Sequence, residues 1–400
     1  MIPRLKAALG LSELKAALMF SSTDDVNNFE QEFARLADQK YAVAFPYGRT
    51  GLVVTLKALG LENAEILCPA YTCVVVPHAI VTSGNTPVFL DSDPKDMNMD
   101  LQLVEQAITP KTKAIIATSI FGNPVNLDLL GEIQQRYPDL IVIQDCAHSF
   151  FCEWKESPVH KEGLCAIYGL NVSKVMTSIF GGIVTTDDEV FARQLKETRD
   201  KLLIPAKPIK SFKRLLYLLA VYPAFSRIGY GLVNRLERSG LLDYFVKYHD
   251  PKLIDMPIDY LQAMTPIEAR VGIVQCRKYI KIIKHRRKLA RAYLDGLKGQ
   301  SELGLPAWNY GATWSHFVVR TKFAKLLIEV CLNRGVQLGE LIDYNIPDLP
   351  AYNSYKQHSL GYSSNFPEKV INLPVHISCS IRDAKKIIDI IVKEMDRNKE

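Results

Sequence analysis

Short β-branched, apolar runs alternate with segments of helical period through the first half of the chain. That alternation restricts the fold more than any other feature, because it calls for an α/β architecture with a largely parallel sheet. The strand candidates are "KYAVAF" (40–45), "EILCP" (65–69), "TPVFLD" (86–91), "KAIIATSI" (113–120), "LIVIQD" (140–145), "LCAIYGL" (164–170) and "GGIVTT" (181–186). Helices are expected between them at 49–59, 73–83, 101–108, 127–136 and 188–200. Seven strands in this order predict one wide sheet. Helical periods return beyond 256, followed by the strand-like "SHFVVRT", an amphipathic "AKLLIEVCLNRG" and a closing "SIRDAKKIIDIIVKEM". The expected division is a large α/β domain over 1–255, with a basic and apolar insertion at about 201–250, and a smaller α+β domain over 256–400.

Composition bounds the function. With 400 residues, 48% hydrophobic and 23% charged, the chain has material for a large core and two domains. A net charge of +6 is too mild to imply nucleic acid. The opening "MIPRLKAALGLSELKAALMF" lacks an uninterrupted apolar region and a small-residue cleavage site, so a cytoplasmic location is expected. The eight cysteines form no CxxC pair and several sit in apolar runs, which fits reduced, buried thiols better than disulfides or a metal site.

Ligands of open α/β sheets sit beyond the carboxyl ends of the strands. Three loops at that edge carry chemistry. In "FPYGRTGL", Gly48, Arg49 and Thr50 open a helix, where free N–H groups and a guanidinium suit an anion; a plain glycine turn capped by threonine reads equally well. In "LIVIQDCAHSF", a buried strand ends on Asp145, whose desolvation calls for a cation opposite, and His148 follows. The alternatives are a capping aspartate and a satisfied core histidine. In "YGLNVSKVMTSIFGGIV", Lys174 is carried into an apolar segment, where its neutral amine is favoured; taken alone, it reads as a lysine reaching out from a strand end. Together the three supply what pyridoxal phosphate needs: an anion cradle, a carboxylate for the pyridine nitrogen and an amine for the aldehyde.

These stretches, with "ILCPAYTCVVVPHAIVTSGNTPVFLDSDP", "ITPKTKAIIATSIFGNPVNLD", "RRKLARAYLDGL" and "VINLPVHIS", resemble the DegT/StrS-type sugar aminotransferases of fold type I, in order and over nearly the whole chain. The resemblance implies that Lys174 is the Schiff-base lysine, Asp145 the partner of the pyridinium nitrogen and His148 a contact near the phenolic oxygen. It puts Gly48, Arg49 and Thr50 in the phosphate turn and Asn171 at the polar place three before the lysine. It also implies transfer of an amino group, usually from L-glutamate, to a keto sugar carried on a nucleoside diphosphate, for amino-sugar or surface-polysaccharide synthesis, at a site on a homodimer interface. Relatives that dehydrate sugars carry histidine at the lysine position, and a non-catalytic regulator would be expected to lose Lys174 or Asp145; this chain keeps both. It departs from the family twice, with Gly169 in place of a phosphate-binding serine and Cys73 in place of a ring-stacking aromatic.

The stretch 201–240 is basic at both ends, through Lys207, Lys210, Lys213, Arg214, Arg227, Arg235 and Arg238 against the lone Glu237. Its apolar middle is shorter than the roughly 20 residues a spanning helix needs. It is expected either to lie on a membrane surface or to pack as a dimer or substrate-covering arm.

Overall fold

The computed structural model describes residues 1–20, 22–224, 229–231, 250–355, 357–358, 361–367 and 369–398. The seven expected strands form: β1 (Tyr41–Phe45), β2 (Glu65–Pro69), β3 (Thr86–Leu90), β4 (Thr112–Thr118), β5 (Ile141–Asp145), then, after a small hairpin of β6 (Glu153–Trp154) and β7 (Ser157–Pro158), β8 (Cys165–Gly169) and β9 (Gly182–Thr186). Further on come β10 (Phe317–Arg320), β11 (Gln357–His358) and β12 (Val370–Leu373). The main sheet has the order β1-β9-β8-β5-β4-β2-β3-β11. Only β9 runs against its neighbours, pairing antiparallel with both β1 and β8. The eighth strand, β11, was not anticipated; it extends the edge by pairing parallel with β3.

The helices are α1 (Leu11–Leu18), α2 (Asp25–Ala37), α3 (Gly48–Ala58), α4 (Val75–Thr82), α5 (Val104–Ala107), α6 (Leu127–Arg136), α7 (Glu189–Leu202), α8 (Pro208–Ala224), α9 (Pro266–Leu297), α10 (Ala324–Asn333) and α11 (Ile381–Arg397). Strand periodicity explains how they cover the sheet. Successive side chains point to opposite faces, so Ile66, Ile116 and Ile143 join the core with α3 and α7, while Leu67, Ile115 and Val142 join the core with α5 and α6. Both faces are apolar, which is why the strands read as continuous hydrophobic runs. A second core gathers β10, β12, α10, α11 and the end of α9.

The 32-residue α9 starts firmly because Thr265 and Glu268 form a reciprocal capping box with Pro266 in the first turn. Seven cysteines are buried, and Cys73 is half-buried. No helix among the described residues is long and apolar enough to cross a membrane.

In the insertion, α8 turns two of its cations inward. Lys210 and Arg214 are buried. The reason is partners beyond the helix, which itself has no acid: Arg214 Nε donates to Glu268 (2.8 Å) and Nη2 to Asp259 (2.9 Å), while Lys210 Nζ donates to the carbonyls of Gln262 and Ala263. Arg227, Arg235, Glu237 and Arg238 lie outside the described residues.

Candidate active site

Asp145 ends β5, where three buried residues lead to its carboxylate. Oδ1 accepts from the Ala147 N–H (3.0 Å) and Oδ2 from the Thr118 hydroxyl (3.2 Å). Thr118 ends the neighbouring β4 in register with Asp145. Burial pushes the carboxyl up from its ordinary value, against the Ala147 N–H, the Lys174 charge and the Thr118 hydroxyl, which pull it down.

Lys174 follows β8 in a tight turn, its N–H bonded to the Asn171 carbonyl (3.1 Å). Its residue is half-buried, and among the described residues its amine has no hydrogen bond or ion pair. Burial lowers its pKa, and the nearby Cys73 and Asp145 only partly restore it. The amine is therefore poised toward its neutral, nucleophilic form.

His148 stands three residues after Asp145. Phe121 stacks on its ring (5.9 Å, 23°), and the Phe121 N–H makes a long contact to Nδ1 (3.5 Å). An accepting Nδ1 leaves the proton on Nε2. Burial, then the Lys174 and His316 charges, hold the imidazole well below its ordinary pKa, so it stays neutral. The His316 ring lies 5.1 Å from that of His148 and edge-on to Phe121, and the same influences push its pKa down to about 3, burial first, then Arg286 and Lys174.

The phosphate-type turn is assembled by close backbone contact. A Cβ on Gly182 would come within 2.3 Å of the Gly48 nitrogen, and one on Gly48 within 3.1 Å of the Tyr168 carbonyl oxygen. Side chains at these places would push the start of α3 off the ends of β8 and β9. The first-turn N–H groups of α3 have no acceptor earlier in the helix. Arg49 is half-exposed and, among the described residues, has no hydrogen bond or ion pair. The Thr50 hydroxyl donates to the Tyr260 carbonyl (3.0 Å). Asn171 is exposed, with Oδ1 accepting from the Ser173 N–H (2.9 Å) and hydroxyl (2.6 Å).

Gly169 leaves open space beside the lysine: a Cβ there would sit 3.6 Å from Lys174 Cε, an ordinary contact. A carboxylate, an amine, a helix N-terminus with a spare guanidinium and a wall without side chains thus suit the ring nitrogen, aldehyde and phosphate of pyridoxal phosphate. Lys174, Asp145, Cys73 and His148 come together; Asn171 points into its own turn.

Sequence reading missed Thr118, Phe121 and His316. Thr118 and Phe121 could have been found by asking what stands at the carboxyl end of the strand beside β5. His316 carried no such signal, since it arrives from a loop about 140 residues beyond the lysine. That loop is pinned at Gly122 (φ +91), where a Cβ would meet Thr313 Oγ1 at 2.7 Å, and the His316 N–H donates to the Phe121 carbonyl (3.2 Å). Phe121 and His316 also line a small cleft of about 30 Å³, with Met97, Trp314 and Arg320.

Solved structures with this fold include Helicobacter pylori PseC, an aminotransferase involved in the biosynthesis of pseudoaminic acid, at 18% identity and TM-score 0.77, covering 98% of this chain and 99% of that one. Another is the Streptococcus pneumoniae protein Spr1654, described as a putative sugar aminotransferase in its PMP form, at 18% identity and TM-score 0.78, covering 99% and 100%. A third is the GDP-4-keto-6-deoxymannose-3-dehydratase ColD with bound GDP-perosamine, at 20% identity and TM-score 0.74, covering 98% and 100%. The family model of the DegT/DnrJ/EryC1/StrS aminotransferases matches residues 8–392. With its sheet, its Asp145–Lys174 floor and that match over nearly the whole length, the chain belongs to the DegT/DnrJ/EryC1/StrS aminotransferase family.

Proposed function

We propose that this chain uses pyridoxal phosphate to move an amino group from an amino acid, L-glutamate, to a keto sugar carried on a nucleoside diphosphate. The observation that carries the reading is Lys174: a deeply set amine without a hydrogen bond, near a buried carboxylate at a strand end. When bound, the cofactor supplies an aldehyde and an electron-accepting ring. Asp145 holds a negative charge where the ring nitrogen is to stay protonated, fixed there by Ala147 and Thr118. Lys174 Nζ, kept toward neutrality by burial, takes the proton from the donor's Cα and later returns it to the acceptor's carbon. His148, held neutral, offers Nε2–H as a donor, and Phe121 fixes its plane.

The acceptor would approach this floor past Phe121 and His316. The relative with bound GDP-perosamine supports a nucleotide-linked sugar, and the PMP form of another supports the cofactor. A homodimer and a cytoplasmic setting belong to the same reading.

The test is spectroscopic. Purified protein incubated with pyridoxal phosphate is expected to gain an absorbance band that shifts on adding L-glutamate. Asp145→Asn should still take up some cofactor but lose most turnover, since an amide cannot stabilise the pyridinium. Protein that stays colourless, or an Asp145→Asn variant of near wild-type turnover, would overturn the assignment.

A further inference from the structure

Helix α8 is built inside out. Its buried side carries Lys210 and Arg214 along with Leu218 and Val221, whereas its outer side carries Ile209, Phe212, Leu216 and Leu219. These four recur at i, i+3, i+7 and i+10, one stripe of a helix. Phe212 and Ile209 are each 54% exposed and Leu216 49%. Tyr217 and Tyr222 are exposed as well. The inward ion pairs hold the helix in this orientation, because turning it over would strip Arg214 and Lys210 of their partners.

Near it, α1 ends in further exposed apolar residues. Ala17 shares an apolar cluster with Leu218, and the residues after it, Leu18, Met19 and Phe20, are exposed. An exposed apolar stripe of this kind marks a place of contact.

Charge identifies the contact. From Lys201 to Ala224 there is no acidic residue, and Lys201, Lys207 and Lys213 are exposed. A two-fold contact with a second copy would set this patch against itself, bringing Lys207 and Lys213 toward their own equivalents with no acid in the segment to neutralise them. An anionic lipid surface supplies the missing charge, takes the apolar stripe into the acyl boundary and suits tyrosines at headgroup depth. We infer that the outer face of α8, with the end of α1 beside it, docks this protein on an anionic lipid bilayer. The helix lies in the interface and does not span.

The experiment is flotation of the full chain with vesicles of phosphatidylcholine and phosphatidylglycerol, against phosphatidylcholine alone. Because it reads binding and not turnover, it can fail while the aminotransferase reading stands, and the reverse. Wild-type protein is expected to float with the anionic vesicles, and less so in high salt. Phe212→Glu with Leu216→Glu should weaken binding at least about tenfold. Lys207→Glu with Lys213→Glu should weaken it about fivefold for each lysine, and should remove the preference for phosphatidylglycerol. Both pairs are exposed, so the thermal melt should not move. The proposal is overturned if wild type ignores anionic vesicles or if either pair floats like wild type. A drop in oligomeric size in the glutamate pair, without vesicle binding by wild type, would show that a second copy covers the face. A lowered melt in that pair at unchanged size would show that the chain covers it itself, which also overturns the proposal.

Discussion

Two cations enter the interior of this protein on opposite terms. Arg214 is saturated: Glu268, Asp259 and the Tyr47 hydroxyl surround it, and its pKa is raised, the partners outweighing burial. Lys174 has a carboxylate within electrostatic reach but no hydrogen bond, and burial wins, lowering its pKa. A paired buried cation fixes structure; an unpaired one keeps a reactive amine. One chain supplies both, so the difference lies in the partners each meets.

Removing either cation should expose the contrast. Lys174→Ala is expected to cut transfer by at least about 10³-fold, with an unchanged or raised melting temperature, since nothing is left unpaired; a large loss of stability would show that the amine was structural after all. Arg214→Ala should do the reverse, costing about 3–5 kcal/mol in urea unfolding because it strands the fully buried Glu268. Arg214→Leu combined with Glu268→Gln should regain most of that, because glutamine still completes the cap with Thr265. An Arg214→Ala variant within about 1 kcal/mol of wild type would break the comparison.

Arg49 is a third case, a guanidinium spared from pairing at a helix start. Arg49→Ala should weaken pyridoxal phosphate binding by about 2 kcal/mol, the range of a charge-assisted contact. Gly169→Ser should recover part of it, because a side chain fits there. Unchanged cofactor affinity with weakened sugar-nucleotide binding would reassign Arg49 to the substrate, and no change in either would make it a residue of the turn alone.

The smallest effect concerns His376, a buried base kept neutral. Burial pushes its pKa to about 4, despite the bond from Nε2 to the Pro3 carbonyl (3.0 Å), with Arg286 and Lys6 adding to the depression. The unfolded chain takes up the proton near 6.5 and the folded one does not until about 4. Stability is therefore complete above pH 6.5 and is lost as pH falls toward 4; at pH 5.5 the loss is about 1.4 kcal/mol. His376→Gln should flatten that part of the curve in unfolding measured across this range, and an unaltered slope would remove the histidine from the account.

Much of the large sheet was legible because both its faces are buried, which writes each strand as an apolar run with a boundary. Asp145 was legible for the same reason, as a charge where such a run stops. β11 was not, since two residues have no periodicity. The inward turn of Lys210 and Arg214 was hidden because the segment contains no acid; the partners come from Asp259 and Glu268, and only the fold brings them across. His316 was hidden likewise, being a neighbour of Lys174 in space alone.

The turn before α3 has a consequence in time. Tyr47 donates to Asp259 (2.6 Å) and Thr50 to the Tyr260 carbonyl, partners 212 and 210 residues downstream. At about 5–20 residues per second of synthesis, a nascent chain makes β1 and the glycine turn on the order of 10 to 40 s before those partners exist. The anion cradle is among the first parts translated but waits for residues past the middle of the chain, so until then it depends on whatever keeps a half-finished sheet from aggregating.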